Sequence, residues 1–126
     1  MHAIVGRSAA NSFIETVKLD HVVWKTEVYK VLMDESQKSI SDFADHTQCR
    51  LGKWYFDGDG GALYADIAAF QSLDEPHRMV HQHGLEALRL MADNDANGAV
   101  DALSRMEDAS RVVIDLLGRL EAEISR

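Results

Sequence analysis

The sequence predicts an all-α protein, an antiparallel four-helix bundle with one additional short helix. Three observations carry that expectation. A single proline, Pro76, interrupts 126 residues, and eight glycines leave long stretches unbroken. Two windows, one near each end, repeat apolar residues every three or four positions, the period of a helix with one buried face. The segments between the periodic windows are brief and polar, as links between antiparallel neighbours are.

The first helix is expected from about Ser8 to Asp34, where Phe13, Val17, His21, Trp24, Val28 and Val31 fall on one stripe. The polar run Asp34 to Ser41 reads as a connection. A shorter helix is expected from Ile40 to Phe56, with Asp45 or Thr47 able to cap a fresh turn at Cys49. The run Asp57-Gly58-Asp59-Gly60-Gly61 ends it and opens a loop, and Ala62 to Phe70 can form a short helix. Asp74, Glu75 and Pro76 suit the first turn of the next helix, because proline lacks the N–H that goes unused there and acids favour the positive end of the dipole. That helix runs to about Met91 and stops in Ala92 to Gly98. The last spans about Ala96 to Ile124, with Val100, Leu103, Met106, Ser110, Val113, Leu117 and Leu120 on one face.

A chain of this length is read as one domain over residues 1–126, with 1–10 a frayed or linker segment that contains His2. Thirteen Lys and Arg are scattered among 21 Asp and Glu, for a net charge of −8. A phosphate-binding surface needs clustered cations, so neither nucleic acid nor an anionic membrane is an expected partner. The N-terminus lacks the basic region and apolar block of a secretory signal. No apolar run reaches the roughly 18 residues of a membrane span. One cysteine excludes an intrachain disulfide and suits a reducing compartment, so a cytoplasmic location is expected.

Four side chains stand out against the apolar stripes. His21 shares its stripe with Val17, Trp24 and Val28. His77 and His81, four residues apart, stack on one face of a helix that continues through Leu85, Leu88 and Met91. Cys49 lies in Cys49-Arg50-Leu51-Gly52-Lys53-Trp54-Tyr55. One inward histidine is usually a satisfied core residue. Three of them with a cysteine are different, since each buried polar group left unpartnered costs roughly 1–3 kcal/mol. One zinc ion satisfies three imidazoles and a thiolate in a closed tetrahedral set, and those donors select zinc over magnesium or calcium.

Three pieces in order, His21-Val22-Val23-Trp24, the Cys49–Tyr55 run and His77-x-x-x-His81, resemble the chemoreceptor zinc-binding domain family of bacterial signalling proteins, from about Ser12 onward. The resemblance implies a helical bundle in which His21, Cys49, His77 and His81 hold one zinc ion. It also implies a regulatory role, often as a homodimer, in control of a chemoreceptor or a diguanylate cyclase in cis or in trans, and in some members an attack of oxidants such as hypochlorous acid on the bound cysteine. Trp24 and Trp54 are expected as core walls that keep water off the metal. Gly52 is expected to permit a close helix approach. His83, about 200° round from His81, is placed in solvent or behind the ligands, and His46 off the metal.

Rival functions fit less well. A hydrolytic zinc needs an open position and a nearby carboxylate, and four protein ligands fill the site, so no enzymatic activity is expected. A di-iron bundle needs further inward carboxylates. The Asp57 run is no calcium loop, with Ala62 and Ala68 at its sixth and twelfth positions, where glycine and glutamate are required. A helical dimerisation module with a purely structural zinc is the alternative.

Overall fold

A computed structural model describes residues 2–125, with side chains described from residue 10. Among them are six α-helices: α1 (His2–Leu32), α2 (Arg50–Phe56), α3 (Asp59–Tyr64), α4 (Ala68–Gln71), α5 (Asp74–Ala92) and α6 (Ala96–Ile124). A 3-10 turn covers Ile40–Asp42. Of the segment read as frayed or linker, residues 2–10 lie in α1, and the side chains of residues 1–9, His2 among them, lie outside the described residues.

Cross-helix contacts set the directions. Asn11 meets Ser125 at 2.7 Å, Lys18 meets Glu121 at 2.5 Å and Lys25 meets Glu107 at 2.7 Å, so α1 runs antiparallel to α6. Phe13 packs on Trp54 and Asp20 pairs with Arg50, so α2 also runs against α1. The short link after α5 turns that helix back along α6. The bundle therefore has α1 and α5 pointing one way, and α6 and the short α2 the other. Ile14, Val17, Val28, Val80, Leu88, Met106, Val113, Leu117 and Leu120 fill its core.

Local chemistry explains the helix ends. Asp34 and Asn94 adopt positive φ, 61° and 64°, just past α1 and α5, where a residue in the left-handed region lets the last carbonyls be capped. The Asp95 carboxylate accepts the Gly98 N–H at 2.9 Å and so opens α6. α5 begins at Asp74, with Glu75 and Pro76 in its first turn as the sequence indicates.

Three segments differ from the sequence reading. Residues 40–56 are not one helix: Asp45 accepts from Thr47 N–H at 2.8 Å and Gln48 N–H at 3.1 Å. This local turn competes with helix, and the chain starts afresh at Cys49, the N-cap of α2. The glycine-rich run is half helical, since Asp59 opens α3 and Gly60 is buried against the Trp54 ring. The single short helix expected over 62–70 divides between the end of α3 and α4. On α6, Val100 is exposed and Ala99 and Ala102 take the buried stripe in its place.

Candidate metal centre

Cys49, His77 and His81 come together from two separate elements, with one candidate ligand atom from each lying within 4.8 Å of the others. α5 presents both histidines from consecutive turns, their ring centroids 4.9 Å apart and nearly perpendicular. Cys49 reaches them from the start of α2, its Sγ 3.4 Å from His77 Nε2. Sulfur and nitrogen on one tetrahedral zinc stand about 3.6 Å apart, from Zn–S near ~2.3 Å and Zn–N near ~2.0–2.1 Å. The observed spacing fits that edge.

The two imidazole donors are held in a usable form. His81 Nδ1 lies 2.9 Å from the Ala44 carbonyl oxygen. A carbonyl only accepts, so Nδ1 carries the proton and Nε2 keeps its lone pair, the tautomer that a metal-binding histidine needs. Burial pushes His77 down to about 3, with His81, His46 and His21 adding repulsion. Burial likewise brings His81 down to about 4, against the pull of the Ala44 carbonyl. Both imidazoles are thus neutral at neutral pH. Burial raises the Cys49 thiol, while the backbone N–H groups of Gly52 and Leu51 act in the opposite direction and Asp20 adds to the rise. Without a cation burial therefore favours the neutral thiol, and a metal held between Cys49 and the two imidazoles would favour its thiolate.

His21 occupies a different place. It is buried and lines the same cavity of about 380 Å³ as Cys49, His77 and His81. Its Nε2 lies 2.7 Å from Ser110 Oγ on α6, and it stands outside the close group of three. Burial, the Lys25 ammonium and His81 lower it to about 4. Trp24, one turn on, tilts over His81 at 4.3 Å between centroids and meets Phe43 edge-on at 5.8 Å, so it walls the cavity as expected. Gly84 makes room for that indole, since a Cβ there would meet its ring at 2.6 Å. The cavity is also lined by half-buried Asp20 and exposed Arg50, paired at 3.3 Å between α1 and α2.

Other residues depart from the sequence reading. Trp54 packs on Phe13, Tyr64 and Phe70 and does not line the cavity. His83 is buried instead of solvated, its Nδ1 3.6 Å from a Glu86 carboxylate oxygen. The reason is that α5 buries a second stripe, Val80, His83 and Ala87, beside the one that carries His77 and His81. His46 stays off the close group, packed edge-on against His77 at 5.8 Å. Gly52 does permit a close approach, but to the His46–Thr47 backbone and not to a neighbouring helix. Two partners of the site, the Ala44 carbonyl and Ser110, differ in what the sequence shows of them. The Ala44 carbonyl carries no side-chain signal, whereas Ser110 was visible as the one hydroxyl in an apolar stripe.

The model of one protein family, described as the chemoreceptor zinc-binding domain, matches residues 21–88. That span is more than half of the chain and runs from His21 through Cys49, His77 and His81. No curated protein and no solved structure matches.

Proposed function

From the premise that this chain belongs to the chemoreceptor zinc-binding domain family, we propose that it is a regulatory zinc sensor of bacterial signalling, with His21, Cys49, His77 and His81 as the ligands. The observation that carries the reading is the Cys49–His77–His81 group with His81 locked in the metal-binding tautomer. Bound there, zinc would link three elements of the bundle and stabilise the Cys49 thiolate.

The residues themselves set what can be sensed. Cys49 and the two α5 histidines bind only when deprotonated, so occupancy follows zinc level, pH and the oxidation state of the sulfur. Cys49 is half-buried in a cavity whose outer part reaches exposed residues. A small oxidant entering there would convert the thiolate to sulfenic acid and weaken its hold on the metal. Loss of the Cys49 link frees α2 from α5, and the output is a change in how the helices pack. The reading has no catalytic step. It places the chain in the cytoplasm as a homodimer that controls a chemoreceptor or diguanylate cyclase in cis or in trans. Support for self-association comes from Leu19, Val22 and Val23, which α1 leaves exposed. No helix among the described residues is long and apolar enough to cross a membrane.

Treatment of the zinc-loaded protein with hypochlorite or peroxide tests the sensing step. Zinc release and a lower melting temperature are expected, both reversed when a thiol reductant returns Cys49 from the sulfenic acid and zinc is restored. Unchanged zinc content and melting temperature in the treated wild-type chain would refute oxidant sensing.

A further inference from the structure

Ser110 is nearly fully buried midway along α6, between Met106 and Val113 on the apolar stripe. A serine in such a place ordinarily turns its hydroxyl back to the carbonyl four residues earlier. Here Oγ lies 2.7 Å from His21 Nε2 and 2.9 Å from Lys25 Nζ. Lys25 Nζ continues to Glu107 Oε1 at 2.7 Å. An ammonium only donates, so one lone pair of Oγ is taken by Lys25, and the rest of the hydroxyl serves His21. His21 thus lines the metal cavity while its Nε2 is engaged by a different helix.

A ring nitrogen has one bonding direction in the plane of the imidazole. Nε2 cannot hold the Ser110 hydroxyl and a metal ion together. We propose that Ser110 is a latch on His21: its hydroxyl and zinc compete for the same nitrogen, so that closing the metal site releases a link between α1 and α6. This rests on the reading of His21, Cys49, His77 and His81 as zinc ligands. Ser110 is a positioning residue, acting on the metal only through His21. The ion pairs Lys18–Glu121 and Lys25–Glu107 remain on either side of the released link, which confines the change to the helix faces around Ser110.

The test uses the full chain, with zinc affinity measured by competition against a chromophoric chelator. Ser110→Ala removes one buried hydrogen bond from the state that competes with metal, so zinc should bind about 2- to 10-fold more tightly. Ser110→Thr, which keeps the hydroxyl, should stay within about twofold of wild type. In a His21→Ala background Ser110→Ala should have no effect, because the two residues act as one unit. Histidine 15N NMR of the wild-type chain gives a readout independent of any variant's folding: the Nε2 resonance of His21 should change from a hydroxyl-bonded to a metal-bound position on loading. Ser110→Ala affinity that is unchanged or weaker overturns the latch while the zinc reading stands, whereas a His21 Nε2 resonance indifferent to zinc overturns the latch and removes His21 from the ligands, leaving Cys49, His77 and His81. A wild-type chain that takes up no zinc overturns both.

Discussion

Replacing Gly52 with alanine sets helix propensity against the geometry of the site. A Cβ at Gly52 would meet the His46 carbonyl oxygen at 2.0 Å and Thr47 main-chain atoms at 2.8 Å. No rotamer relieves a clash with backbone, so for ordinary contact near 3.4 Å the 46–47 segment must retreat by about 1.4 Å. That segment carries the Ala44 carbonyl that locks His81 on one side and Cys49 on the other. Metal–ligand distances tolerate only about 0.2 Å, so the displacement is several times what the site can absorb. Propensity alone would make glycine to alanine in a helix stabilising by about 1 kcal/mol, whereas overpacking costs about 1–3 kcal/mol even where side chains can yield. The clash wins: Gly52→Ala should lose about 1–2 kcal/mol of stability and bind zinc at least about tenfold more weakly. Gly118→Ala is the control, because nothing lies within 4 Å of its Cβ position. It should gain about 0.5–1 kcal/mol with zinc binding unchanged. Urea unfolding in chelator, with zinc titration of the same samples, measures both. If Gly52→Ala gains stability as Gly118→Ala does and keeps its zinc affinity, the reasoning about this turn is wrong.

Two further outcomes follow from burial around the site. In metal-stripped protein, His21, His77 and His81 have folded-state values of about 4, 3 and 4, below the ordinary 6.5. The unfolded chain then binds more protons, so stability is full above about pH 6.5 and falls as pH drops toward the folded values, by roughly 1–2 kcal/mol per histidine between pH 6.5 and 5. A urea midpoint at pH 5 equal to or above that at pH 7 would contradict this. Gly84→Ala places a methyl 2.6 Å from the Trp24 ring and 3.2 Å from Met106 Sδ, which should displace the indole from His81 and cost about 1–3 kcal/mol. Altered tryptophan fluorescence and a lower unfolding midpoint are expected; both unchanged would show that the indole does not need that gap.

The long elements were legible because their signals are periodic. Ala96 to Ile124 is the span of α6, and α5 begins where its acids and proline place it. Burial of His77 and His81 followed from four-residue spacing on an apolar face. Between α1 and α5 the fresh turn at Cys49 was legible from Asp45, but not that this carboxylate, by accepting from Thr47 and Gln48, breaks the helix expected over 40–56, because that competition leaves no periodic trace. His83 shows the limit of reasoning from a single stripe. A helix enclosed on two sides buries a wider arc than the angle from His81 suggests. His21 is the subtler case, since its spacing puts it in the cavity but cannot reveal that Ser110, 89 positions away, holds its Nε2.

The central claim is tested most directly by metal analysis of protein purified without added zinc, alongside Cys49→Ala, His77→Ala and His81→Ala. About one zinc per wild-type chain is expected from a single closed four-ligand site, lost in each variant and accompanied by a lower unfolding midpoint when a chelator strips it. A wild-type chain free of zinc, or one whose zinc survives removal of Cys49 and both α5 histidines, would contradict the account.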